Sequence, residues 1–173
     1  MSKINNLIVN KIYLCYIIKG EVIMQEYFKF AIDAARMGIN NQEGGPFGAV
    51  VVNEKGKIIG VGNNKVLKNN DPTAHAEVMA IRDACKTINK YDLTGCKIYS
   101  TSEPCPMCLA SIIWSNIKEV YFVTDRKEVA SIGFRDDLIY NYLEGKKKDI
   151  LKVEKVENPE CDKLLSDYKN IIY

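Results

Sequence analysis

One histidine and one tryptophan occur in the 173 residues, with five prolines and eleven glycines. A metal site in such a chain can draw on a single imidazole, so its other soft ligands must be cysteines. Proline and glycine are too scarce for a collagen-like or low-complexity chain, and no internal repeat is present. Charge of one sign is lacking too: 24 Lys and Arg meet 22 Asp and Glu, a net +2. That balance argues against a nucleic-acid partner, whose mark is a basic patch. The one tight basic run, Gly145-Lys146-Lys147-Lys148-Asp149, reads as a solvated turn. No long apolar run is uninterrupted: Leu7–Ile23 is broken by Asn10, Lys11 and Lys19 and has no small-residue cleavage site. A membrane span and a signal peptide are both disfavoured.

What is there suits one globular domain, since 47% of the residues are hydrophobic and the length permits a substantial core. Of six cysteines, Cys105 and Cys108 have metal-like spacing, while Cys15, Cys85, Cys96 and Cys161 form no framework. Such usage points to a reducing, cytoplasmic setting. Residues 1–23 read differently from the rest. Lys19-Gly20-Glu21 can be encoded as a purine-rich ribosome-binding site ahead of Met24. Translation is therefore expected to start at Met24, leaving 1–23 as a non-native or disordered extension; a genuine N-terminal extension is the alternative.

Phe28, Ile32, Ala35, Met37 and Ile39 predict a helix over 25–40, ended by Gly38 and Asn40-Asn41. Strands are predicted at Phe47–Val52 and Lys57–Val61, joined across Asn53-Glu54-Lys55-Gly56. Asp71-Pro72 reads as an N-cap with proline at the first helical position, opening a helix over 72–89. Lys97–Thr101 and Glu119–Val123 add two strands, and Leu151–Val156 a fifth. Cys105-Pro106 opens a helix through Trp114, and Cys161–Lys169 a last one with Leu164, Leu165 and Tyr168 on one face. Alternating strands and helices predict an α/β fold: a three-layer αβα sandwich around a mixed sheet of about five strands.

The chemistry-bearing residues cluster in two strings. Thr-Ala-His-Ala-Glu carries His75 and Glu77, and Pro-Cys-Pro-Met-Cys carries Cys105 and Cys108. One imidazole and two thiolates make three zinc ligands and leave a fourth position open, as catalytic zinc requires. His75 and Glu77 diverge by about 200° on a helix, so they can share a target only at the helix mouth. Cys105 and Cys108, three apart, lie on one side of their own opening turn, where the helix dipole favours thiolate. A closed structural site would need Cys85 or Cys96 as well, and Cys85 lies well down the helix from His75.

Gly-Gly-Pro-Phe-Gly-Ala-Val (44–50), Asn-Asp-Pro-Thr-Ala-His-Ala-Glu-Val (70–78) and Glu-Pro-Cys-Pro-Met-Cys-Leu (103–109) resemble the cytidine-deaminase-like zinc deaminases. The likeness covers residues 26–143 and is greatest to the bacterial guanine deaminase family. It implies a deaminase domain over 24–158 that holds one zinc per chain on His75, Cys105 and Cys108. Glu77 would carry protons while water attacks C2 of guanine, releasing ammonia and leaving xanthine. Gly133–Tyr140 resembles the segment that brings an aspartate, here Asp136, to the purine. Asn64 matches a base-contacting asparagine, and Phe47, Ala76, Trp114, Phe134 and the terminal Tyr173 are implied around the base. The family also implies a homodimer in which residues 159–173 form a lid, exchanged between subunits or packed in cis.

Ser102 stands where that family often has cysteine and Arg135 where it often has aspartate. Residues 158–165 are closer to the tail of tRNA adenosine deaminases, which share the zinc strings. A tRNA adenosine deaminase, another free-base deaminase such as cytosine deaminase, and a non-catalytic zinc scaffold are the alternatives. A scaffold would leave Glu77 without a role. Intact mass of the natively expressed protein should match a chain beginning at Met24; a product beginning at Met1 overturns that expectation.

Overall fold

The computed structural model describes residues 2–168, with side chains from residue 21 onward. The chain divides into two compact units, Met1–Asp136 and Asp137–Tyr173. In the first, helix α1 (Ser2–Asn40) begins far upstream of the start read from periodicity. Strands β1 (Gly48–Val52) and β2 (Ile58–Asn63) follow, then the short α2 (Val66–Asn69) and α3 (Ala76–Ile88). Next come β3 (Lys97–Ser102), α4 (Pro106–Trp114), β4 (Glu119–Thr124) and α5 (Arg126–Ser131). The second unit holds α6 (Asp137–Leu143) and α7 (Pro159–Asp167).

The sheet has four strands in the order β2-β1-β3-β4, with β1 antiparallel to both neighbours and β4 parallel to β3. The expected fifth strand does not form. Residues 151–158 take no regular structure, and Leu151, Val153 and Val156 are exposed. With Lys152, Glu154 and Lys155 interleaved, this segment buries no apolar face and gains no ladder partner.

Side-chain alternation along β1 builds the layers. Ala49 and Val51 pack with Ala76, Ala80, Ala84, Ile98 and Ile112 of α3, β3 and α4. Val50 and Val52 point the other way, against Phe28 and Ala31 of α1 and Tyr99 of β3. Helices therefore cover both faces, as the αβα reading requires. The buried stripe of α1 is Phe28, Ala31, Ala34 and Ala35, whereas Ile32, Met37 and Ile39 are exposed. Small residues face inward because α1 lies directly on β1: a Cβ on Gly48 would come within 1.9 Å of the Ala31 carbonyl oxygen.

Helix α3 approaches β2 just as closely. A Cβ on Gly60 would meet the Ala80 carbonyl oxygen at 2.3 Å, and one on Gly62 the Ala76 carbonyl oxygen, also at 2.3 Å. The helix starts at Ala76, four residues after the position suggested by Asp71-Pro72. Asp71 instead accepts from the Thr73 amide (2.8 Å) and hydroxyl (2.7 Å), closing a local turn. An aspartate that satisfies its own turn is not available to cap a helix. At the other end of the chain, Asn158 Oδ1 accepts from the Glu160 and Cys161 amides with Pro159 at the first helical position. That cap starts α7 two residues earlier than its apolar spacing suggests. No described helix is long and apolar enough to cross a membrane.

Candidate metal centre and pocket

Strands β2 and β3 end, and β1 begins, at one edge of the sheet, and the first turns of α3 and α4 open onto it. His75 is the N-cap of α3 and Cys105 the N-cap of α4; neither side chain accepts a capping hydrogen bond. Two side chains at positions that usually cap their own helix are thus left to face each other. His75 Nδ1 lies 3.6 Å from the sulfurs of both Cys105 and Cys108, and the two sulfurs are 3.6 Å apart. For bonds of about 2.0–2.3 Å, a tetrahedral zinc spaces such ligands about 3.5–3.8 Å apart. The three side chains therefore fit one zinc ion. Cys85 and Cys96 lie outside the cluster: Cys85 donates to the Tyr91 carbonyl, and Cys96 packs in the core. Among the described residues the set stops at three, leaving the fourth position for a ligand.

Charge at this edge is tuned by burial and by the helix ends. The hydrogen bond shared with Cys108 holds the Cys105 thiol down to about 4 against the effect of burial, with His75 adding to it. The same contact with Cys105 pushes the Cys108 thiol up, and burial adds to it. Hydrogen bonding to Cys105 likewise raises the His75 imidazole. A bound cation displaces these protons and takes both cysteines as thiolates. Glu77, in the first turn of α3, is only 4 % exposed, and burial raises its carboxyl above the usual carboxylate range. Ser100 Oγ donates to its Oε1 at 3.1 Å and Cys108 Sγ to its Oε2 at 3.4 Å. A buried carboxyl whose protonated form is favoured, beside three metal-binding groups, is placed to take up and pass on a proton.

A cavity of about 510 Å³ opens in front of this cluster, in the size range of small-molecule sites. Asn64, Phe47, His75, Glu77, Cys105, Phe134 and Asp136 all line it. Phe47 and Phe134 meet edge to face with centroids 4.9 Å apart, forming an aromatic corner. Among the described residues, three carboxylates line the cavity (Glu77, Glu103 and Asp136) and no Lys or Arg does.

Two of the residues implied around the base do not line this cavity. Trp114 is 82 % exposed and away from the cavity. It lies nine residues beyond Cys105, so a turn of about 100° per residue puts it on the opposite side of α4. Ala76 is fully buried, with its methyl in the core under α3. Tyr173 lies outside the described residues. Ser100, Glu103, Val66, Leu67, Pro72 and Val129 were not anticipated at the site. Of these only Ser100 carried a signal: a small hydroxyl two residues after Ile98, on the strand face that packs into the core.

The profile of the cytidine and deoxycytidylate deaminase zinc-binding region matches residues 22–124. Guanine deaminase of Bacillus subtilis is 46% identical over 120 residues, covering 69% of this chain and 76% of that protein. The tRNA-specific adenosine deaminase of Buchnera aphidicola is 37% identical over 143 residues, covering 82% and 91%. The crystal structure of the B. subtilis guanine deaminase superposes with a TM-score of 0.79 at 39% identity, over 86% of this chain and 94% of that one. Purified protein should carry about one zinc per chain, which Cys105→Ala or Cys108→Ala should remove with a loss of stability, read by elemental analysis and thermal unfolding. Stoichiometric zinc in both variants would overturn the ligand set.

Proposed function

The chain belongs to the cytidine and deoxycytidylate deaminase zinc-binding family, and from that premise we propose that it hydrolyses guanine to xanthine and ammonia. The observation that carries this reading is convergence. A three-ligand zinc cluster, a buried proton carrier and an aromatic corner meet at one cavity in a chain 46% identical over 120 residues to a guanine deaminase. The absence of lysine and arginine from the described lining favours an uncharged base over a substrate held by its phosphates.

His75, Cys105 and Cys108 would hold the zinc, which would supply the Lewis acidity that makes water a nucleophile near neutral pH. Glu77 accepts the proton as the water oxygen bonds to C2, then delivers it to the purine so that the C2–amino bond breaks and ammonia leaves. Ser100 holds that carboxyl in line through its hydrogen bond to Oε1. Phe47 and Phe134 lie against the flat base, while Asn64 and Asp136 read its polar edges. Glu77→Gln should retain zinc and fold while turnover falls by at least about 10²–10⁴-fold. Ammonia release from free bases, nucleosides and tRNA should be greatest with guanine. Near-native turnover in the zinc-loaded variant removes Glu77 from the mechanism, and deamination of tRNA with guanine untouched overturns the substrate.

We further propose a cytoplasmic homodimer in which residues 159–173 act as a lid, supplied in cis or by the partner. Supporting this, α7 exposes Leu164, Leu165 and Tyr168, more apolar surface than a solvated tail requires. Excluding water would strengthen the electrostatics around the reacting carbon. Truncation after Asn158 should abolish deamination with zinc retained, and light scattering should report a dimer of the full chain. An active truncation removes the lid, and a fully active monomer removes the dimer.

A further inference from the structure

Two carboxylates are buried among the described residues, and the chemistry above uses only Glu77. The other, Glu43, is 6 % exposed. Its Oε2 accepts from Asn63 Nδ2 at 2.8 Å and its Oε1 from Lys68 Nζ. Its backbone carbonyl accepts the amides of Leu67 (3.1 Å) and Lys68 (3.0 Å) in α2. Hydrogen bonding by Lys68, then Asn63, holds the Glu43 carboxyl below the usual carboxylate range. A buried charge is tolerated only when so partnered, and removing one partner is costly.

What these bonds enclose is Asn64. Its backbone N–H donates to the Phe47 carbonyl at 3.0 Å, and its carbonyl accepts from Asn63 Nδ2 at 3.1 Å. Its side-chain Oδ1 accepts the Val66 amide at 3.2 Å. With the oxygen engaged, the NH2 group is the part of the amide left to a ligand; turning the amide over would set donor against donor. Gly44 closes the remaining side, since a Cβ there would lie 2.1 Å from Oδ1. Asn63, the opening of α2 and the 44–47 loop thus fix Asn64, and Glu43 bonds to the first two and is the residue from which the third departs.

We propose that Glu43 is a positioning residue that fixes which face of the Asn64 amide meets the base, without touching the substrate itself. The proposal rests on the reading of Asn64 as a base contact. Contacts made equally in the ground and transition states appear in KM, so the zinc-loaded Glu43→Gln enzyme should show KM for guanine raised about tenfold with kcat nearly unchanged. In an Asn64→Ala background the same substitution should cost nothing further, because it acts through that amide. Should Glu43→Gln fail to fold, Lys68→Met, on a half-exposed side chain, runs the same cycle. An equal loss in both backgrounds, or a fall in kcat with KM unchanged, reduces Glu43 to a fold-supporting role and overturns the proposal. If Asn64→Ala alone matches the parent enzyme, the base contact itself has failed and the proposal falls with it. The Glu77→Gln result would still stand, so the two failures are told apart.

Discussion

A Cβ on Gly62 would sit 2.3 Å from both the Ala76 carbonyl oxygen and the Ala80 amide nitrogen, so α3 rests on β2 at a separation only hydrogen permits. The contact falls at the first residue of the helix, between His75 and Glu77. Any larger side chain would lift that helix mouth, and with it one zinc ligand and the proton carrier. Interiors packed at crystal-like density pass such a shift on to their neighbours. The position of α3 on the sheet is therefore also the position of the metal site.

With both helix mouths held at one sheet edge, the electrostatics follow. The positive ends of α3 and α4 converge where Cys105 and Cys108 must lose protons, and each helix leaves its N-cap side chain uncommitted. Burial acts on Glu77 in the opposite sense, favouring its protonated form, with Ser100 and Cys108 as hydrogen-bond donors. Neighbouring groups are thereby drawn toward opposite protonation states, a division of labour that suits proton transfer beside a metal.

Much of this was legible beforehand. The ligand trio and Glu77 are legible in two local strings, and Asn64, Phe47, Phe134 and Asp136 follow only from the family resemblance; all of them lie at the one site. Four of the five strands and the two-sided helix layers followed from apolar runs and turn residues. Other elements were not legible. The inward face of α1 is hidden from the apolar pattern because alanines, which carry little hydrophobic signal, line most of it. Helix α3 starts four residues beyond the position its sequence predicts, since an aspartate before proline looks alike whether it caps a helix or closes a turn.

By itself the sequence determined which atoms are available for chemistry: one imidazole, two thiols three apart, and a carboxylate two residues from the histidine. Those are local facts, carried by spacing within a single helical turn. The tertiary structure decided which distant groups serve them. Ser100 reaches Glu77 across 23 positions, and Lys68 meets Glu43 across 25. It also decided that Trp114, nine residues along the ligand helix, turns away from the cavity. Side-chain direction and long-range pairing depend on how helices rotate and settle against a sheet, and that is fixed by packing between segments that no local pattern connects.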